Sequence, residues 1–462
     1  MHAQSSPPKV AAPAPAVVLA LACAGSFVVI LDATIVSVAL PAIRAELGFD
    51  PAALSWVVNA YTLVFAGFLL LGGRLADLFG QRAMFVLGMS LFTAARLVGG
   101  LAGSAEQLLI ARAVQGFGGA LLMPVTLSLL TTTFTEPGRR ARALGTWSAV
   151  GAVGAASGPV IGGVLTQWAG WRWVFFVSVP VGVLAVVAAA AILPGRVTTG
   201  ARPRLDVIGA VLATAGLGAL VYAVMQPSAG DALPPLLGGL ALLGIFLLHQ
   251  AKWAADPLLP LEVFRLRSVS SGNLVMFLLG LGFFASPVLL SLYLQDVHGY
   301  SPLQAGLAYL PIGFAMFCGA QSAGALSVRM GARRAAVLCC LLGGAGFAGV
   351  AALIGAHASY LSSVLLPGIF LGFGTAAAFT PITVAATGGV PPHHNGLAAG
   401  LLNTVRQTSG AIGLAALTAL TAAVAWEPGA EALAHGYAAA FTASAGCLAI
   451  AAVVAALAMP RR

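Results

Sequence analysis

Fourteen stretches of the sequence are apolar over the length of a helix that crosses a membrane, and this repetition restricts the fold more than any other feature. A bilayer-spanning helix needs about 20 predominantly apolar residues. Only 8% of the residues are charged, against about 25% in soluble proteins, so a water-soluble fold would have too little polar surface. The sequence therefore predicts an all-α integral membrane protein.

The predicted spans fall into two sets of six, separated by a pair. They lie near 16–39, 53–73, 83–103, 107–131, 143–165 and 172–193, then 206–225 and 233–251, then 270–294, 303–327, 335–355, 361–386, 396–424 and 437–458. We predict an N-terminal tail (1–15), a first six-helix bundle (16–194), an inserted helix pair (195–252), a linker (253–269) and a second six-helix bundle (270–462).

The basic residues predict the orientation of these spans. Of 22 Lys and Arg residues, 17 fall on the side of the N terminus if the spans alternate in direction. The opposite side receives Arg44 and Arg172 only, and three arginines fall inside spans. Because basic loops stay in the cytoplasm, both termini and the 253–269 linker are predicted to be cytoplasmic. The net charge of +9 is thus explained by orientation, and no nucleic-acid partner is expected.

An internal repeat supports two related bundles. Segment 73–82 (GRLADLFGQR) follows the second span, and segment 324–333 (GALSVRMGAR) follows the tenth, with Gly, Leu, Gly and Arg at matching positions. We expect Gly73 and Gly80 to make tight turns and Asp77 to lie against a helix N terminus. Arg74 and Arg82 are expected to face anionic lipid or another carboxylate. Parallel six-helix repeats around a central cavity are typical of membrane transporters.

One carboxylate lies deep in a predicted span. The apolar run that contains Asp32 continues to Leu40, roughly 13 Å further along a helix, and the other twelve acids fall in loops or at span ends. An ionisable group at such depth is costly and indicates function. Arg112 of the fourth span falls at a similar depth, so the two either pair or share a pocket. Burial favours the protonated form of Asp32 and a nearby arginine favours the anion, so Asp32 is a candidate proton carrier. For Arg112 we favour a role as its functional partner over that of a static brace of the bundle.

Two more arginines fall within spans. Arg96 either pairs with Asp32, pairs with Glu106 or extends outward. Arg406 and Gln407 lie mid-span in the second bundle with Asn403 one turn away, and they either line a path for a substrate or cap broken backbone.

The fifth span carries glycine at every fourth position. Gly154, Gly158 and Gly162 share one helix face, and small residues let membrane helices approach closely. Pro159 removes a backbone hydrogen bond and is expected to bend this helix.

Several stretches together resemble the fourteen-helix drug/proton antiporters of the major facilitator superfamily. They are the Asp32 stretch 31–41 (LDATIVSVALP), loop 73–82, 112–116 (RAVQG), 154–163 (GAASGPVIGG), 171–176 (WRWVFF) with Pro180, and 403–407 (NTVRQ). The match extends over nearly the whole chain and places the motifs in the family's order. Arg96 departs from it, since an uncharged residue is expected there.

The resemblance implies export of a small organic molecule against proton entry, in the inner membrane of a bacterium. It implies a conformational latch in loop 73–82, although Val328 replaces the acid in the repeat. It also implies an antiporter motif that limits proton leak, and we expect Asp32 and Arg112 to couple protons. The antiporter-motif residues are Gly154, Gly158, Pro159, Gly162 and Gly163, and the candidate substrate path contains Gln115, Asn403, Arg406 and Gln407.

Other classes are less well supported by the residues. The His, Asp and Cys residues form no cluster typical of an enzyme, and no cofactor or metal is expected. A nutrient symporter or uniporter of the same fold is the alternative. Because only one acid lies in the membrane, we expect neutral or weakly charged amphipathic substrates, and lipophilic monocations remain possible. We also expect the protein to be a monomer.

Overall fold

The computed structural model describes residues 14–50, 53–194, 206–224, 226, 229–254, 257–258, 261–387, 395–425 and 429–460. The described secondary structure is entirely helical. The α-helices of the first half are α1 (Pro15–Leu47), α2 (Trp56–Phe79), α3 (Gln81–Gly100), α4 (Ala105–Thr133), α5 (Pro137–Trp168), α6 (Arg172–Phe176) and α7 (Val179–Ile192). A pair follows, α8 (Val207–Val224) and α9 (Ala229–Leu248). The second half contains α10 (Arg267–Phe283), α11 (Ser286–Leu292), α12 (Pro302–Met330), α13 (Ala332–Leu353), α14 (Leu366–Thr387), α15 (Asn395–Val424) and α16 (Ala430–Ala458).

Twelve helical stretches of the described residues are long and apolar enough to cross a membrane, rather than the fourteen expected. The second and fifth predicted spans make the difference. In α2 the described apolar stretch is short, Ala53–Leu69. Helix α5 is long enough, at 32 residues, but it is rich in glycine and begins with several arginines. The helical membrane fold is therefore confirmed, while the count of fourteen is not.

The helices pack into two groups. Helices α1 to α7 contact one another, as do α10 to α16, and α8 packs against α9. Helix α8 also contacts α2 and α15, so the pair lies beside both groups. We call α1–α7 the first bundle and α10–α16 the second bundle. A broad apolar core extends from α1 into the second bundle and includes Ile35, Leu289 and Phe441.

The internal repeat has the same backbone geometry in both copies. Gly80 has φ 87° and ψ 151°, and Gly331 has φ 83° and ψ 148°. Each ends one helix and begins the next, with its N–H donated to the carbonyl four residues earlier. This region of φ and ψ is essentially restricted to glycine. The expected turn is thus found at Gly80, but Gly73 lies inside α2, so the predicted turn there is wrong.

The two bundles touch at the end of the molecule that the sequence predicts to be external. Arg44, near the end of α1, forms an ion pair with Asp296 at 3.3 Å between Nη2 and Oδ1. Asp296 belongs to a π-helical turn, Tyr293–Val297, that follows the break between α10 and α11. Beside it, Gln295 donates to the carbonyl of Val38 at 3.2 Å. These contacts close the predicted outer end of the interface between the bundles.

Candidate functional site

Asp32 lies near the middle of α1 and is fully buried. Each carboxylate oxygen accepts a hydrogen bond from a different arginine. Oδ1 accepts from Nη1 of Arg96, and Oδ2 accepts from Nη1 of Arg112 at 2.6 Å. Both guanidinium groups are about as buried as the acid, with 1% of each side chain exposed. The three residues therefore form one enclosed charge cluster.

Arg96 attaches the cluster to α6. Its Nε donates to the carbonyl of Phe175 at 3.0 Å, and its Nη2 donates to the carbonyl of Val174. The rings of Phe92 and Phe175 lie about it, with centroids 6.0 and 5.7 Å from Cζ. Of the three arrangements that the sequence left open for Arg96, the structure shows the pair with Asp32.

Arg112 attaches the cluster to α2. Its Nε donates to the carbonyl of Val57 at 2.7 Å, and Nη1 also donates to Oε1 of Gln115 at 2.9 Å. The Tyr61 ring lies 4.6 Å from its Cζ, close enough for a cation–π contact. Asp32 and Arg112, which the sequence placed at similar depth, are therefore in direct contact.

This arrangement links protonation to the packing of helices. A buried carboxylate between two arginines cannot bind a proton and keep both charge-assisted bonds, so protonation releases at least one guanidinium. Because each arginine also binds the backbone of another helix, its release changes how α1 is held against α2 or α6. The cluster carries a net charge of +1 when Asp32 is ionised, since two cations face one anion.

Two buried amides, one within the cluster and one on α2, have polar atoms without a hydrogen-bond partner among the described residues. They are both polar atoms of Asn59, which is fully buried, and Nε2 of Gln115. Unpaired buried polar groups are rare and commonly mark a functional site or an unseen water. Asn59 was not singled out from the sequence, although an asparagine within an apolar stretch is itself a sign of a buried polar group.

The glycines of the fifth span lie where α5 meets two other helices. A side chain at Gly154, Gly158 or Gly162 would meet Phe27, Thr34 or Ile35 of α1, respectively. One residue further, Gly163 lies against Pro302 and Leu303 at the start of α12. Pro159 lies in the same interface, because Gly306 of α12 packs on its carbonyl. The predicted close packing is thus present, and α5 contacts both bundles through it.

The predicted latch is described only in part. Arg82 is exposed and donates to the carbonyl of Ala190 at the end of α7. It therefore binds the backbone of its own bundle. The side chains of Arg74 and Asp77 lie outside the described residues.

The candidate substrate path is divided between the bundles. Gln115 belongs to the Asp32 cluster, whereas Arg406 and Gln407 are half-buried on α15. The Cζ atom of Arg406 lies 5.9 Å from the ring centroid of Phe379 in α14. The side chain of Asn403 lies outside the described residues. No described hydrogen bond joins Gln115 to Arg406 or Gln407, so the residues of the candidate path are not directly linked among the described side chains.

Two contacting helical bundles with an internal repeat and a buried charge cluster are typical of a polytopic membrane transporter. Residues 22–414 match the Major Facilitator Superfamily, and the chain belongs to this family. Its members are transporters and not enzymes. The repeat at Gly80 and Gly331 and the packing of α5 are the structural features here that fit this assignment.

Three known proteins are similar to the chain. It is 44% identical over 410 residues to the cephamycin export protein CmcT of Amycolatopsis lactamdurans, covering 87% of this chain and 84% of that protein. It is 37% identical to the puromycin resistance protein pur8 of Streptomyces alboniger, covering 95% and 90% of the two chains. The crystal structure of a D-xylose–proton symporter matches with a TM-score of 0.70 at 14% identity, over 96% of this chain and 98% of that one. That last likeness concerns the fold alone.

Proposed function

We propose that this protein exports small amphipathic organic molecules, such as an antibiotic, in exchange for protons by alternating access. Two similar proteins, at 44% and 37% identity, are named for cephamycin export and puromycin resistance. The proposal places fourteen spans in the inner membrane of a bacterium, with both termini cytoplasmic, two six-helix bundles and an inserted pair. The transporter acts as a monomer in the lipid bilayer.

The observation that carries the proton step is the enclosure of Asp32 between Arg96 and Arg112. In the proposed cycle, a proton from outside binds Asp32 and releases an arginine, and loss of the proton to the cytoplasm restores both pairs. Each state favours a different packing of α1, so proton movement shifts the balance between outward-open and inward-open forms.

The remaining predicted residues have supporting roles in this cycle. Gly154, Gly158, Pro159, Gly162 and Gly163 form the antiporter motif that closes the helix interface against proton leak. Segment 73–82 acts as the latch through Gly73, Arg74, Asp77, Gly80 and Arg82. The substrate passes Gln115, Asn403, Arg406 and Gln407.

The first test is drug susceptibility of a pump-deficient bacterial host. Expression of the chain is expected to raise the tolerated concentration of some members of a compound panel that includes cephamycin and puromycin. A proton uncoupler should abolish the protection. If instead the chain increases uptake of a panel compound along a proton gradient, the symporter alternative replaces this proposal.

The second test concerns Asp32 and uses inside-out vesicles. Adding a substrate to energised vesicles should release lumenal protons through the exchange, and a pH-sensitive dye measures the release. Asp32→Asn leaves two arginines without their acid, so the double variant D32N/R96Q serves as the folded comparison because its cluster keeps the net charge of +1. Both variants should lose proton-driven export, and Glu46→Gln, at an acid near the end of α1, should keep it. Undiminished uphill export by D32N/R96Q contradicts the proton role of Asp32.

A further inference from the structure

A groove with a volume of about 1130 Å³ lies at one end of the second bundle, at the turn between α12 and α13 and beside α16. Arg333 and Arg334, in the first turn of α13, border it together with Leu338, Leu341 and Ala456. The sequence predicts that this end of the bundle is cytoplasmic. The groove therefore combines two cations with an apolar wall at the end of membrane-spanning helices.

The apolar wall of the groove faces the surroundings of the protein. Leu341 is 52% exposed and Leu338 is 38% exposed, and both belong to a helix that is long and apolar enough to cross a membrane. Leu341 lies seven residues beyond Arg334 in the sequence, roughly 10 Å along α13. The groove thus extends from the charged end of the helix into the hydrocarbon layer of a bilayer.

The arginines at this end of the bundle are not neutralised by acids. Arg333 also borders an adjoining space of about 540 Å³, together with Arg267. None of the ion pairs between described residues includes Arg267, Arg333 or Arg334. The described surface around the groove therefore carries positive charge without a balancing carboxylate.

The internal repeat offers a comparison for Arg333. Arg82 has the equivalent position in the first copy, and it donates to the carbonyl of Ala190 near the end of α7. In the second bundle the last helix is α16, and its final carbonyls already accept hydrogen bonds from Arg267. Arg333 makes no hydrogen bond or ion pair with the part of the chain that the structure describes. Its guanidinium group is therefore available to a ligand.

An anionic phospholipid has the two kinds of group that this groove can bind. Its phosphate accepts charge-assisted hydrogen bonds, which guanidinium groups form in pairs. Its acyl chains can cover the exposed apolar side chains below the arginines. Basic pockets between membrane helices at the cytoplasmic surface are typical sites for anionic lipid headgroups. A soluble phosphate would use the arginines alone and would leave the apolar wall uncovered.

We propose that the groove binds an anionic phospholipid of the cytoplasmic leaflet, whose phosphate pairs with Arg333 and Arg334 and whose acyl chains lie along Leu338 and Leu341. A lipid bound there connects the start of α13 to the end of α16. The site is distinct from the Asp32 cluster, and its existence does not depend on which compound is exported.

The test measures lipid binding to the full-length protein, purified in detergent, by native mass spectrometry. The probes are the anion phosphatidylglycerol and the zwitterion phosphatidylcholine, both with oleoyl chains, and glycerol phosphate, which lacks acyl chains. The variant R333Q/R334Q removes both arginines, and R333K/R334K keeps their charge. The matched control, R265Q/R329Q, removes two exposed arginines from the same end of the bundle that do not border the groove.

The wild type and R265Q/R329Q are expected to bind phosphatidylglycerol about tenfold or more tightly than phosphatidylcholine, since each arginine at a membrane surface adds severalfold to the affinity for an anionic lipid. R333Q/R334Q should lose most of this preference with little change in phosphatidylcholine binding, and R333K/R334K should keep part of it.

A second pair of variants tests the apolar wall. Leu341→Ala should weaken the binding of both lipids by about two- to fivefold, because it removes apolar contact with the acyl chains. Leu353→Ala is the matched control, since Leu353 is exposed to a similar extent, at the opposite end of α13. It should leave the binding of both lipids unchanged.

Three results overturn the proposal. Equal binding of the two lipids by the wild type shows that the headgroup is not recognised. An equal loss of preference in R333Q/R334Q and R265Q/R329Q shows that net charge attracts the lipid without a defined site. Binding of glycerol phosphate as tightly as phosphatidylglycerol, or no effect of Leu341→Ala on either lipid, assigns the arginines to a soluble phosphate instead.

Discussion

Arg44 and Asp296 form an ion pair across the interface between the two bundles, with 3.3 Å between Nη2 and Oδ1. The pair lies where the interface is closed at the predicted outer face. An outward-open form must separate these two residues. The pair therefore stabilises the closed form relative to the open one, by an amount that its partial exposure keeps small.

Breaking this pair is expected to increase the fraction of the outward-open form. Asp296→Asn removes a partly exposed ion pair worth about 0.5–1 kcal/mol, which corresponds to roughly a two- to fivefold shift in population. The measurement is labelling of Ser37→Cys, a buried position in this interface, by an impermeant maleimide in a background without the five native cysteines. Glu46→Gln breaks a pair with Arg172 inside the first bundle and should not change the labelling rate.

The Asp32 cluster predicts non-additive effects on stability. Asp32→Asn leaves two buried guanidinium groups without an acid, and loss of one partner of a buried ion pair costs about 3–5 kcal/mol of unfolding free energy. Arg96→Gln should cost less, because Arg112 remains on the acid. The double variant D32N/R96Q should lose less unfolding free energy than the two single variants lose together. Thermal unfolding in detergent measures all three, and strictly additive losses would argue against a coupled cluster.

The packing of α5 predicts different costs for its glycines. Alanine at Gly162 would overlap the backbone carbonyl oxygen of Ile35. At Gly158 the closest overlap is with Oγ1 of Thr34, which can rotate away, and the next contact is with Cβ of Thr34 at 2.9 Å. We expect Gly162→Ala to destabilise the protein by about 1–3 kcal/mol and to cost more than Gly158→Ala. Gly145 on the same helix is exposed with no neighbouring atom within 4 Å, so Gly145→Ala should be neutral or stabilising by up to about 1 kcal/mol. Equal thermal shifts for all three variants would contradict the packing argument.

Gly331→Ala should destabilise the protein through its backbone. The φ of 83° and ψ of 148° lie in a region that costs other residues about 1–3 kcal/mol. Gly80→Ala is expected to have a similar effect, because its dihedral angles are nearly the same. Gly324→Ala is the matched control, since Gly324 is helical and has no neighbouring atom within 4 Å. Thermal unfolding of the three variants provides the comparison.

A hydrogen-bonded acid connects α8 to the end of α9 and predicts a pH dependence. Burial acts to raise the pKa of Asp206, but hydrogen bonds from Gln250, the Gly209 N–H and His249 outweigh it and leave the pKa below its ordinary value of 3.8. A lowered pKa in the folded state contributes stability above the ordinary value, and this contribution is lost as pH falls through the folded value. The packing of α8 on α9 should therefore persist from pH 8 to pH 5 and weaken only below about pH 4.

Asp206→Asn tests this connection at neutral pH. It should increase amide hydrogen exchange in α8 and α9, since a buried hydrogen-bonded group is worth about 1–3 kcal/mol. Glu262→Gln, at an exposed acid in the segment before α10, is the control and should leave exchange unchanged. Unaltered exchange in Asp206→Asn would show that apolar packing alone holds the pair.

Helix positions were largely predictable because apolar length is a strong signal, whereas helix ends were not. The charges at Arg74 and Asp77 suggested a loop after residue 73, but α2 continues to Phe79. A helix that satisfies its own backbone hydrogen bonds can extend beyond the apolar stretch, so polarity does not mark its end. The single residue that requires a break is Gly80, whose φ is positive.

The sequence predicted how deep in the membrane the site residues lie, but not the direction in which each helix presents its side chains. The helix rise placed Asp32 and Arg112 at one level, and the structure shows them in contact. The same calculation left Arg96 with three possible arrangements, because sequence gives no rotation of α3 about its axis. The contacts of Arg112 with the Tyr61 ring and with the carbonyl of Val57 were not predicted for the same reason, because they depend on how the helices pack.

The matching bends at Gly80 and Gly331 have a consequence for the origin of the chain. An ancestral gene for a six-helix unit, duplicated and fused, accounts for one backbone conformation at two distant places. The later copy has Val328 at the position of Asp77, so the two copies share the bend and differ in charge. Any contact that requires a carboxylate beside the bend is therefore available to the first half of the molecule alone.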